Sequence, residues 1–207
     1  QFEQLKNKLD SEDLFDLSKK LSLPDSPSHI GVITSPSTAA FQDILSTIKR
    51  RAPSSQVSLS PAIVQGDTAA VSLIRALDRI IRFNDNNPDN TIDVVVISRG
   101  GGSIEDLWCF NNEDLARQIA AFPIPTISGV GHEIDFTICD FVSDMRAPTP
   151  TASAEIVTEF SFQVYDKLKE IQSDLQRSIK ISLKDKLQKI QSLKGSIKSP
   201  LLVLREQ

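Results

Sequence analysis

The chain has 207 residues, 40% of them hydrophobic and 24% charged, with a formal charge of −4 at pH 7. That is apolar material for the core of one domain plus an appendage, and too much for a disordered chain. No apolar run approaches the roughly 18 residues of a membrane span, and the opening "QFEQLKNKLD" lacks the basic-then-apolar pattern of a secretory signal.

Residues 2–21 space Phe2, Leu5, Leu9, Leu14, Leu17 and Leu21 as a helix does, and the proline- and serine-rich "LPDSPS" closes them off as a lead-in segment over 1–23. "HIGVIT" (29–34) is a short apolar run of the buried-strand kind, followed by "SPST" and the helical pattern "AAFQDILSTIKRR". The unit repeats. "QVSLSPAIV" precedes a helix from about Thr68 to Phe83, "TIDVVVISRGGGS" (91–103) is a buried strand ending in three glycines, and "EDLARQIAAF" and "PTISGVG" follow as helix and strand. Alternating helices and near-continuous apolar strands predict an α/β domain over 24–157, a doubly wound and mostly parallel sheet with helices on both faces.

At Thr149 and Pro150, an N-cap followed by a proline at the first helical position, a long helix is expected to begin. Its apolar positions Val164, Leu168, Ile171, Leu175, Ile179, Leu183, Leu187 and Ile190 step by three or four, a heptad seam that needs partner helices, so 158–207 reads as the start of a truncated coiled coil. A chain that begins without Met and stops inside this pattern is expected to be a fragment of a soluble, cytoplasmic protein with no membrane partner.

Charge is unevenly spread: 4 basic and 5 acidic groups over 1–23, 9 and 16 over 24–157, and 10 and 6 over 158–207. The acidic central block opposes a broad phosphate-gripping surface, so any nucleic-acid binding there needs a local cluster, the basic tail or a partner. Cys109 and Cys139 have no CxxC partner and read as buried, reduced thiols.

In open parallel sheets, ligands bind beyond the carboxyl ends of the strands, where strand order reverses. Three such ends carry unusual chemistry. After the first strand, Thr34, Ser35, Ser37 and Thr38 open a helix with hydroxyls and free N–H groups that suit an anion, and Asp43 lies one turn on. After the third, Arg99 brings a fork of donors suited to phosphate, and Gly100, Gly101 and Gly102 let the backbone approach a ligand. After the fourth, "SGVGHEIDF" sets His132 and Asp135 behind a glycine pair.

Each signal has a bland counterpart. The triple glycine follows neither GxGxxG nor the P-loop and suits a tight turn equally; Asp43 suits a solvated helix face; His132 suits a structural histidine; Glu133 and Asp135 suit a helix start. The combination points to phosphodiester hydrolysis: a histidine titrating near neutrality moves the proton, an aspartate orients its ring, and arginine offsets charge on phosphate. A metal is not required by this set, although Asp43, Asp135 and Asp140 offer ligands for one.

"GVITS" with Asp43 downstream, "RGGGSIEDLWCFNNEDLAR" (99–117) and "VGHEIDFTICDFVSDMRAPTPTASAE" (130–155) resemble the large subunit of bacterial exonuclease VII, over nearly all of 2–157. The resemblance implies degradation of single-stranded DNA from both ends to oligonucleotides without divalent metal. It implies an assembly with several copies of a small helical subunit on the coiled coil. It places the catalytic residues on Asp43, Arg99, His132 and Asp135, the same four selected from the strand ends. To these we add Thr34, Ser35, Gly100, Gly101, Gly102 and Ser103 as phosphate contacts, Arg146 as a second cation, and Trp108 and Phe110 as rings that either stack on a base or pack in the core. Thr38 stands where the family commonly has glycine, and Ser143 and Ser153 where alanine is frequent. The family's N-terminal OB-type domain, the rest of its coiled coil and its C-terminal segment have no counterpart in these residues. Two readings of other classes stay open: a nucleotide or sugar-phosphate binding domain, and an assembly module whose basic helix recruits partners.

Overall fold

A computed structural model of the chain describes residues 2–100, 104–131 and 135–196. They form two compact units, 1–162 and 163–207.

The first unit is built on five parallel strands: β1 (His29–Thr34), β2 (Gln56–Pro61), β3 (Val94–Ser98), β4 (Thr126–Gly129) and β5 (Met145–Arg146), in the spatial order β2-β1-β3-β4-β5. Every residue of β1, β3 and β4 is buried, which is why those strands read as unbroken apolar runs. The helices are α1 (Phe2–Ser11), α2 (Ala39–Arg51), α3 (Ala69–Asn86), α4 (Glu113–Ala120), α5 (Ile138–Val142) and α6 (Pro150–Val157), with α7 (Glu159–Ser196) continuing into the second unit.

Because successive side chains of a strand point to opposite faces, the sheet sorts its apolar residues into two cores. Ile33, Val95 and Ile97 pack with Leu9 of α1, Leu73, Leu77 and Ile80 of α3, Leu115 and Ile119 of α4, and Ile138 of α5. Ile30, Val32, Val94, Val96 and Ile127 pack with Ile44 and Ile48 of α2 and Ala154 and Val157 of α6. Helices therefore cover both faces, as the alternating pattern predicts. Leu9 is fully buried, and α1 is further tied to α4 by Lys8–Glu113 and Glu12–Arg117 ion pairs, each 2.7 Å.

Two elements differ from the sequence reading. β5 has two residues, too few to carry a period, and went unseen. The long helix expected from Thr149 is interrupted at Thr158. Thr149 does cap, its side chain accepting from the Ala152 N–H, and Pro150 does stand at the helix start. At the other end the Thr158 hydroxyl donates to the Ala154 carbonyl at 2.6 Å and accepts from Arg51 Nε at 3.0 Å. A hydroxyl that takes up the carbonyl of the preceding turn loosens a helix there, and α7 restarts one residue later. In the second unit the seam is open: Leu168, Leu175 and Leu187 are each 59% exposed. No helix among the described residues is long and apolar enough to cross a membrane.

Candidate active site

The order β2-β1-β3-β4-β5 puts the reversal between β1 and β3, since the chain leaves β1 toward β2 on one side and returns to β3 on the other. The β1 end carries Thr34, wholly buried, whose hydroxyl has no hydrogen-bond partner among the described residues. Beyond it Ser35 and Ser37 lie hydroxyl to hydroxyl at 3.3 Å, and the Thr38 hydroxyl donates to the Ser35 carbonyl at 2.8 Å. Thr38 thus closes its own turn with a side chain that glycine would lack. A cavity of about 440 Å³ opens here, lined by Ser35, Ser37 and Thr38 with Gln65 and Ser72 across it.

The β3 end meets the same corner. A Cβ on Gly100 would lie 3.7 Å from the Ala40 Cβ and 3.9 Å from the Thr38 Cβ, so this backbone runs against the amino end of α2. Asp43 is exposed on that helix, its carbonyl accepting from the Ser46 hydroxyl at 3.0 Å. Arg99 is 3% exposed and pairs with Asp106 at 2.8 Å, tying the strand end to the 3-10 helix Ile104–Asn111. Gly101, Gly102, Ser103 and His132 lie outside the described residues.

The β4 end is organised by Asp140, which is 4% exposed. Its carboxylate accepts from the Ser128 hydroxyl at 2.6 Å, the Thr137 N–H at 2.8 Å and the Thr137 hydroxyl at 2.9 Å, and lies 3.9 Å from Arg146 Nε. Thr137 and Asp140 form a reciprocal capping box at the start of α5. A Cβ on Gly131 would lie 2.1 Å from the Asp135 carbonyl oxygen and 3.0 Å from Asp140, so there is room for glycine alone at this position. Asp140 therefore secures both flanks of the segment that carries His132, a role the sequence signalled only through the T-x-x-D spacing. Each of its oxygens is already engaged, and among the described residues no three His, Cys, Asp or Glu come together as metal ligands.

Asp135 is half-buried and shares a cavity of about 430 Å³ with Trp108, Lys6 and Phe136. The aromatic pair splits: Trp108 is 54% exposed, whereas Phe110 is wholly buried in the core. Arg146 lies with its guanidinium 3.9 Å from the centroid of the Phe136 ring. The candidate residues thus gather in two neighbourhoods, Thr34, Ser35 and Gly100 at the β1/β3 reversal, and Trp108, Asp135 and Arg146 about the cavity beyond β4.

The cysteines carry no chemistry in this state. Burial pushes the Cys109 thiol up to about 11 and that of the fully buried Cys139 well above its ordinary value, so both stay protonated and unreactive near neutrality. The second histidine is structural: His29, 1% exposed, sits at the opposite end of the sheet with Nε2 2.7 Å from the Ser58 hydroxyl.

The family model described as "Exonuclease VII, large subunit" matches residues 14–207. An exodeoxyribonuclease 7 large subunit from Geobacillus kaustophilus is 48% identical over 195 residues, 94% of this chain and 42% of the relative. One from Vibrio parahaemolyticus is 54% identical over 158 residues, 76% of this chain and 34% of the relative. A third, from Clostridioides difficile, is 49% identical over 179 residues, 86% of this chain and 43% of the relative. The chain spans about two fifths of the length of such relatives. With the match running through the strand ends and into α7, this chain belongs to the exonuclease VII large-subunit family.

Proposed function

We propose that residues 24–157 hydrolyse phosphodiester bonds of single-stranded DNA, releasing oligonucleotides from both ends, without a divalent metal. The observation that supports this most is the convergence of hydroxyls, glycine backbone and a fixed arginine where strand order reverses, in a chain of a nuclease family. Hydrolysis forms a bond from a water oxygen to phosphorus and breaks one to the leaving oxygen; one proton leaves the water and one reaches the leaving group. His132 is assigned that proton traffic because imidazole titrates near neutrality. Asp135, three residues on, orients the ring. Arg99, held by Asp106, supplies a fixed cation for charge developing on the phosphate oxygens, and Asp43 lines the approach from α2. The exposed seam of α7 is the surface for several copies of a small helical subunit.

Cleavage of an end-labelled single-stranded oligonucleotide in excess chelator, by the full-length large subunit with its small subunit, tests the reading. Cleavage that survives the chelator and disappears in His132→Ala supports it. Activity only with added Mg²⁺ would turn Asp43 and Asp135 into metal ligands. Thermal stabilisation by mononucleotides with no cleavage would favour the small-molecule reading.

A further inference from the structure

We infer that Phe136, Trp108 and Lys6 form a nucleobase-binding subsite beside Asp135, taking a base of the single-stranded substrate; this rests on the hydrolytic reading above. Large aromatic rings are normally drawn into a core, yet Phe136 is 47% and Trp108 54% exposed, and both line the same cavity of about 430 Å³. That volume is in the range of ligand pockets.

Phe136 belongs to a stack of phenylalanines that two cations touch. Phe136 lies on Phe141 with centroids 5.7 Å apart and planes 25° from parallel. Arg146 sits against the Phe136 ring at 3.9 Å, and Lys6 Nζ is 4.7 Å from the Phe141 centroid. Arg146 and Phe141 cover Phe136, so the open ring at the cavity is Trp108; an exposed ring with a cation beside it suits single-stranded nucleic acid, because any base offers a face to stack and the backbone is anionic. Lys6 is the cation that lines the cavity, with Asp135 as its acid and Arg146 against the Phe136 ring, so a positive group is at hand for the phosphate of a stacked nucleotide.

Position supports the assignment. Phe136 directly follows Asp135, which lines the same cavity. A base held in this cavity against Trp108 and Phe136 therefore lies beside Asp135. The cavity is completed from far away in sequence: Lys6 comes from α1, a helix docked through buried Leu9 and the Lys8–Glu113 pair. The lead-in helix is then a wall of the substrate cleft as well as a cover for the sheet.

Trp108 is the single tryptophan of the chain and lines this cavity and a second one with Gly66, Asp67 and Asn112, so quenching is assigned to this cavity only where Phe136→Leu abolishes it. The test uses the 207-residue chain carrying His132→Ala to prevent turnover, with a short oligothymidylate and an abasic oligonucleotide of equal length. The thymidylate is expected to quench Trp108 and to bind about tenfold more tightly than the abasic strand, the scale of one base–aromatic stack, and Phe136→Leu is expected to erase that preference. Equal affinity for the two strands with unchanged Trp108 emission would overturn the subsite while leaving hydrolysis by the chain standing. Binding of neither strand would also overturn it, and only failure of the wild-type protein to cleave would carry the hydrolytic reading down with it. Should Phe136→Leu lower the melting temperature, Lys6→Gln decides: it leaves the sheet untouched and is expected to weaken thymidylate binding and flatten its salt dependence. An unchanged affinity and salt slope in that variant would contradict the assignment.

Discussion

The two ends of the parallel sheet are made of similar residues put to different use. At the amino end the Asp93 carboxylate accepts from the Ser28 and His29 N–H groups at 2.7 and 3.0 Å, Asn84 accepts from the Ile92 N–H at 2.8 Å, and His29 meets Ser58 and stands edge-on to Phe83. These groups satisfy one another. At the carboxyl end a buried threonine hydroxyl has no partner among the described residues, a glycine backbone runs against a helix start, and two large rings face an open cavity. Polar groups that saturate each other hold strands together; groups fixed in place but left available cost stability and serve a ligand.

This contrast can be broken by mutation. The largest effect is expected from Asp140→Ala, which strips acceptors from Ser128 and Thr137 and removes a carboxylate 3.9 Å from Arg146: about 3 kcal/mol of stability by denaturant melts, with cleavage lost as well. Asp140→Asn, which keeps one oxygen, is expected to recover part of both. Gly131→Ala comes next, since the added methyl would collide with the Asp135 carbonyl; about 2 kcal/mol is expected, together with a fall in cleavage larger than the melt accounts for. A variant that melts early and cuts normally would show that the close contact at Gly131 is only structural. At the amino end His29→Gln is expected to cost about 1 kcal/mol and to leave cleavage by the folded fraction unchanged.

The smallest effect is a pH dependence at α1. A hydrogen bond from Arg117 holds Glu12 below its ordinary value, and hydrogen bonds from Lys8 and then Arg117 do the same for Glu113. Folded values that are depressed give stabilisation present above the unfolded value near 4.5 and lost as pH falls through the folded one. Melts at pH 7 and pH 3.5 are expected to differ less in Arg117→Gln than in wild type, and an equal difference would show these exposed pairs to be idle.

The sheet was legible because burial on both faces turns β1, β3 and β4 into apolar runs, and the strand-end rule then selected Thr34, Ser35 and Gly100 from their positions alone. β5 was not, since two residues carry no pattern, and at the break the Thr158 hydroxyl takes the Ala154 carbonyl while also accepting from Arg51, a partner 107 positions away. The same distance hid the aromatic cavity. Phe136 and Lys6 are unremarkable in their own segments and acquire meaning only when α1 docks beside the β4 end. Asp140 reads as a spare ligand in the sequence; its bond from Thr137 is local, and the one from Ser128, 12 positions away, appears only in the fold.

The chain's two histidines allow the most direct test that the carboxyl end is the catalytic one. Single-strand cleavage in excess chelator and the melting temperature would be measured side by side for His132→Ala and His29→Gln in the full-length protein with its small subunit. His132→Ala is expected to lose at least about 100-fold in rate at an unchanged melting temperature, and His29→Gln to melt earlier and cut at the wild-type rate. Wild-type cleavage by His132→Ala, or its loss in a folded His29→Gln, would contradict the assignment.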